Sequence, residues 1–239
     1  MEILPVSIKM NPILVGFSEA FNLLFSFDEE IWSIIFLSFQ VSGIATLISV
    51  IFALPLGSYM GLQEFRWKKT ISTIINTCMG FPTVVLGLIV FLLLSKSGPL
   101  GNLALLYSPV AMIIAQILLT FPIILGTTKA AVESVSSSVK ELLLSLGSTR
   151  FQLWKSLLLE SRKSTISGVI MAFGRAISEV GAVMIVGGNI RWYTRTFTTA
   201  IIMQTRMGDF GMAIALGMIL LLLTFIINIF LTHLQTEEA

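Results

Sequence analysis

Arg175, Ser178 and Glu179 sit inside an apolar run of this chain. Ionisable groups in such a run face a wet or protein-lined interior, because hydrocarbon does not solvate them. Arg175 lies about ten residues into the run, ~15 Å at the helical rise. In a continuous helix Glu179 follows one turn later on the same face. Two kinds of chemistry fit that spacing: the three residues line or gate a route for a charged solute, or Arg175 and Glu179 form an ion pair that locks the helix to a neighbour. Covalent chemistry has no support. The single cysteine, Cys78, and the single histidine, His233, cannot assemble a nucleophile with its base or a metal-ligand set, so no catalytic residue and no metal site are expected.

A second charged group stands between apolar runs. Arg191, Arg195 and Arg206 face one acid, Asp209, in a stretch that also holds Asn189, Thr194, Thr196, Thr198 and Thr199. Such a surface draws an anion from solution, and it serves equally well against lipid headgroups. Net charge is only +2 and no basic tract carries interleaved aromatics, so nucleic acid is not an expected partner.

The third group is mechanical. Ser138 and Glu141 have the S-x-x-E form of a capping box, which predicts a helix from about Val139. Val139, Leu142, Leu143 and Leu146 then make one apolar stripe, and Gly147 falls where a left-handed cap is wanted. A second amphipathic piece follows, with Phe151, Trp154, Leu157 and Leu158 on one side. Helices this short are unstable alone in water, so they pack on membrane helices, on a partner or on headgroups.

The elements that position these groups are membrane helices. Hydrophobic residues are 55% of the 239 and charged residues 12%, with mean hydropathy +0.93, which excludes a water-soluble domain. Five runs are long enough to span: Trp32 to Met60, Ile71 to Ser95, Pro109 to Thr128, Thr165 to Gly188 and Gly211 to Thr232. Pro55, Pro82 and Pro122, with Gly57, Gly80 and Gly87, mark kinks and close helix contacts. Residues 1–30 are expected to be retained and to form an amphipathic interfacial segment, with a sixth span over 11–27 as the alternative. Residues 31–239 are expected to form one transmembrane domain whose longest loop covers about 129–164. Arg66, Lys68, Lys69, Lys129, Lys140, Arg150, Lys155, Arg162 and Lys163 share one side, which predicts that side as cytoplasmic, the N-terminus outside and the C-terminus, with Glu237 and Glu238, inside.

The segment from Glu141 to Leu159 resembles the E-A-A-x3-G-x9-I-x-L-P loop of ATP-binding-cassette importer permeases. Glu141 matches the glutamate, Gly147 the glycine, and Leu157 and Leu159 the I-x-L pair; Leu142 and Leu143 stand in the alanine positions and Glu160 in that of the proline. The run Phe173 to Ala182, continued by Val186-Gly187-Gly188-Asn189-Ile190, is similar to the oxyanion branch, which moves molybdate, tungstate and sulfate, and is most similar to its tungstate members. The resemblance implies an all-α membrane protein of the type I importer fold that works as a homodimer in the cytoplasmic membrane. Its Glu141 to Leu159 loop would dock on cytoplasmic ATPase subunits, and an extracytoplasmic oxyanion-binding protein would deliver the solute. ATP and magnesium would belong to the ATPase, in keeping with the lack of a G-x4-G-K-[ST] loop here, and this chain would bind no cofactor. Molybdate and sulfate are the alternative cargoes. The rival from another class is a secondary transporter driven by an ion gradient, which predicts an inverted repeat and carboxylates buried in several spans.

Overall fold

The first membrane helix starts at a built cap. The Asp28 side chain accepts from Ile31 N at 3.0 Å, and Glu29 and Glu30 follow in the first turn, where carboxylates oppose the positive end of the helix. The computed structural model describes residues 28–135 and 137–236, with Ser18 and Asn22 ahead of them. Apart from Ser18, Asn22 and residues 28–30, the segment expected over 1–30 to be amphipathic, and Glu237 and Glu238, lie outside the described residues.

From residue 28 on, ten α-helices follow in order among the described residues: α1 Glu29–Leu62, α2 Lys68–Met79, α3 Thr83–Leu94, α4 Pro109–Glu133, α5 Ser137–Ser145, α6 Arg150–Glu160, α7 Arg162–Ile177, α8 Gly181–Gly187, α9 Phe197–Met207 and α10 Phe210–Thr236. Three are long and apolar enough to cross a membrane unaided, and the bent pairs α2–α3 and α7–α8 raise the number to five. Among the described residues the five expected runs correspond to three straight candidates and two bent pairs. Residues 71–95 turn through 96° at Gly80-Phe81-Pro82, and 165–188 through 53° at Ser178-Glu179-Val180. Pro82 cannot donate to the preceding turn, so the first break has a local cause. The two breaks rest on each other: a Cβ on Gly87 would meet Ala182 Cα at 2.6 Å, and one on Gly181 would meet Val84 Cγ2 at 2.7 Å.

At the centre α1 and α4 run parallel. A Cβ on Gly57 would meet the Leu125 carbonyl oxygen at 2.6 Å, and one on Gly61 would meet Val132 Cβ at 2.8 Å and the Lys129 carbonyl oxygen at 2.9 Å. This small-x3-small face brings the two backbones together, and in lipid such packing is what holds helices to each other. Ala53, Ile123, Ile124 and Ala172 join α1, α4 and α7 in one apolar cluster. Val41, Val90, Met112 and Val183 join α1, α3, α4 and α8 in another.

The two ends are braced differently. At the end carrying α5 and α6, Lys68 reaches Glu64 at 2.8 Å and Glu133 at 2.9 Å, and Lys129 reaches Glu133 at 2.7 Å. At the opposite end the stretch between the fourth and fifth apolar runs contains α9, which buries Phe197, Thr198, Thr199 and Ala200. Phe197 packs there with Ile31, Ile34, Leu216 and Ile219.

Candidate functional site

The ledge formed by α5 and α6 carries most of the residues singled out from the sequence. Its helix begins at Ser137 rather than Val139, so Ser138 falls inside the first turn and not at the cap. The glycine break forms as expected: Gly147 has φ +75°, its N–H donates to the Leu144 carbonyl at 3.0 Å, and Ser148 N–H donates to that of Leu143 at 3.1 Å. That bond pair is a Schellman cap, which a left-handed glycine permits without a Cβ clash. The capping box sits instead on α6, where Thr149 and Gln152 cap each other at 3.3 and 2.8 Å. Thr149-x-x-Gln152 is a readable signal that the Ser138-x-x-Glu141 pattern obscured.

Burial divides the ledge into an anchor and an outer surface. Val139 and Leu143 pack with buried Val132, Leu153 and Leu157, so Leu143 and Leu157 hold the ledge to the membrane helices. Leu142, Leu146, Phe151 and Leu159 remain 60%, 74%, 68% and 53% exposed, and Glu141 and Gly147 are exposed beside them. The single stripe expected from Val139 to Leu146 is therefore split, and on α6 it is Leu153 rather than Phe151 that turns inward with Leu157. Two polar contacts fix the ledge to α1: Trp154 Nε1 donates to Ser58 Oγ at 2.7 Å, and Lys140 Nζ to the Leu62 carbonyl at 3.4 Å.

Mid-chain, Arg175 and Glu179 do not meet. The helix ends at Ile177 and resumes at Gly181, so the one-turn relation assumed for a continuous helix is broken between them. Glu179 is buried, and its Oε1 accepts from Ala182 N at 3.0 Å at the start of α8 while its carbonyl accepts from Thr198 Oγ1 at 2.7 Å. It closes a helix end and ties it to α9. Arg175 and Ser178 are exposed, and they share one face of α7 with Ser164, Ser167 and Met171, spaced three or four apart. Gln116 of α4, not foreseen, donates from Nε2 to the Ala176 carbonyl at 3.0 Å and steadies the break from behind. A glutamine between Ala115 and Ile117 in an apolar run was the available signal.

At the far end the three arginines separate. Arg191 Nη2 and Arg195 Nη1 grip the two oxygens of Glu30 at 2.5 and 2.8 Å, an acid that the sequence did not point to as their partner. The Glu30 hydrogen bond and charge raise the pKa of Arg191. Arg206 is exposed in the last turn of α9 and has no ion pair among the described residues. Among the described residues no group of three or more His, Cys, Asp or Glu side chains could hold a metal.

Residues 53–237 match the family model described as binding-protein-dependent transport system inner membrane component. A tungstate uptake system permease protein of Peptoclostridium acidaminophilum is 45% identical over 95% of this chain and 100% of its own length. One from Campylobacter jejuni is 38% identical over 95% and 94%. A probable anion ABC transporter permease protein of Haloferax volcanii is 41% identical over 82% and 87%. Among solved structures, a bacterial alginate ABC transporter in complex with its alginate-bound periplasmic protein superposes with TM-score 0.73 at 17% identity, over 96% of this chain and 89% of that one. The inward-facing methionine transporter MetNI gives 0.69 at 14%, over 88% and 95%. Both share the fold.

Proposed function

The chain belongs to the family of binding-protein-dependent transport system inner membrane components, and on that premise we propose that it is the permease subunit of an ATP-driven tungstate importer. The α5–Gly147–α6 ledge carries this reading. It is tied to the membrane helices on one side by Leu143, Leu153, Leu157 and Trp154, and presents Glu141, Leu142, Leu146, Phe151 and Leu159 on the other. Apolar side chains presented this way on short helices suit a soluble partner, here a cytoplasmic ATPase. Tungstate as cargo is supported by relatives that carry it in their names at 45% and 38% identity over almost their whole lengths.

The exposed face of α7 supports a pair of such chains. Ser164, Ser167, Arg175 and Ser178 on a membrane-crossing element do not suit lipid, and two copies facing each other across that surface enclose a wet route. Arg175 and Ser178 then line the path, and Glu179 shapes it by holding the break. The basic residues around α2, α5 and α6 support placing that end in the cytosol. The Glu30 end would then receive a tungstate-binding protein.

Reconstitution tests the reading. With the ATPase and binding protein added, tungstate enters vesicles only when ATP is hydrolysed, and molybdate and sulfate enter far more slowly. Uptake that follows a proton or sodium gradient without ATPase would overturn it.

A further inference from the structure

A continuous line of contacts runs from the exposed surface of the ledge into α1. The Phe151 ring lies 5.6 Å from the Trp154 ring, Trp154 Nε1 donates to Ser58 Oγ at 2.7 Å, and Ser58 Oγ donates to the Pro55 carbonyl at 3.0 Å. Phe151 is 68% exposed and Ser58 wholly buried, so three contacts join the outside of the ledge to the interior. Each hydroxyl and N–H in the line has one assigned direction, since the indole can only donate and the serine then passes its own proton on.

The line ends at the proline inside α1. Pro55 lacks an N–H and leaves the carbonyl one turn earlier without its helical donor. Pro122 does the same in α4, about one turn out of step with Pro55, since the Ser49 and Thr120 hydroxyls meet at 2.7 Å ahead of the prolines and Gly57 faces Leu125 and Thr128 beyond them. Beyond the prolines the helices are fused: Gly57 and Gly61 leave no room for a Cβ against Leu125, Lys129 and Val132, and Lys140 holds the last turn of α1 at Leu62. The segments 56–62 and 123–133 thus pack as one block with a proline at the inner end of each, and α5 and α6 lie against it.

We propose that the Trp154–Ser58 hydrogen bond is the positioning contact through which displacement of the ledge moves this block about Pro55 and Pro122, so that solute entry stays tied to ATP turnover. The inference rests on the ATPase-driven permease reading and adds the residues that carry the motion. Loss of the bond leaves the outer surface of the ledge intact, so the partner still docks and still turns over. The transfer of motion into α1 is weakened, while the Lys140–Leu62 contact and the apolar anchor remain.

The test uses the complete transporter in proteoliposomes, with tungstate as solute, and reads tungstate taken up per ATP hydrolysed. Trp154→Phe keeps a ring against Phe151 and removes the N–H; Ser58→Ala removes the acceptor and leaves α6 untouched. Each is expected to co-purify with the ATPase and to lower the uptake-to-hydrolysis ratio about fivefold, the factor that one hydrogen bond of ordinary strength converts to. The double variant should fall no further than either single, because both delete the same bond. An unchanged ratio in Ser58→Ala overturns the proposal even if Trp154→Phe fails to assemble, and so does a double variant whose loss is the product of the singles. Absence of ATP-dependent tungstate uptake by the unsubstituted complex would overturn the permease reading itself.

Discussion

Arg195 donates to Glu30 at 2.8 Å across 165 residues of sequence, with the arginine side chain 10% and the glutamate 24% exposed. The same carboxylate also holds Arg191, whose side chain is 59% exposed. One acid in the first turn of α1 therefore fastens the segment between α8 and α9. Removing Glu30 leaves Arg195 charged and nearly buried without its partner, which costs about 3 kcal/mol. Glu30→Ala is expected to lower the melting temperature in detergent well below that of Arg191→Ala, since an exposed partner contributes little. Equal melting of the two variants would show that the pair is not structural.

Leu142 and Leu157 both belong to the E-A-A-like segment, yet one is 60% exposed and the other 3%. Substituting them separates docking from folding. Leu157→Ala opens a cavity beside Leu153 and Val132 and is expected to cost about 2–4 kcal/mol, seen as a lower melting point of the permease alone. Leu142→Ser and Glu141→Lys leave that melting point in place and weaken co-purification with the ATPase. Gly147→Pro is expected to abolish co-purification, because proline cannot adopt the φ of +75° found there. Normal co-purification of all three would remove the docking role from this surface.

What the sequence made legible follows from how local each signal is. Apolar runs of spanning length, the Gly147 cap and the close contacts at Gly57 and Gly87 are written in neighbouring residues, and all appear in the fold. Glu30 was invisible as the partner of Arg191 and Arg195 because nothing local links the start of α1 to a loop after α8. Helix α9 was missed because its buried residues are four in a row at its start, two of them threonines, Thr198 and Thr199, so no apolar period marks it. The 53° turn at Ser178 to Val180 has no proline to announce it. It is held by Glu179, Gln116 and Thr198, contacts that only the folded chain brings together.

Glycines in the spans divide by what surrounds them. A Cβ at Gly57 would lie 2.6 Å from a carbonyl oxygen that cannot move without moving α4, whereas Gly43 and Gly217 have nothing within 4 Å. Gly57→Ala is expected to destabilise by about 2 kcal/mol through overpacking, and Gly217→Ala to be neutral or to stabilise by up to about 1 kcal/mol through helix propensity. Thermal unfolding in one detergent compares them directly. A Gly57→Ala protein as stable as the parent would mean that α1 and α4 separate easily.

Arg175 and Glu179, paired by spacing, are assigned different work by the break between them. Glu179 acts through the acceptor oxygen it offers to Ala182 N, and Glu179→Gln keeps a carbonyl oxygen in that place, so melting temperature and uptake should both stay near those of the parent. Glu179→Ala removes the acceptor and is expected to cost about 1 kcal/mol, as loss of a helix cap does. Arg175 is exposed on the serine-bearing face of α7 and makes no ion pair among the described residues. Arg175→Ala should therefore leave melting unchanged while lowering tungstate uptake, with Arg175→Lys recovering part of it because the positive charge on the route is restored. A drop in melting temperature that parallels the loss of uptake would place Arg175 in the scaffold instead, and uptake equal to the parent's would take it off the route.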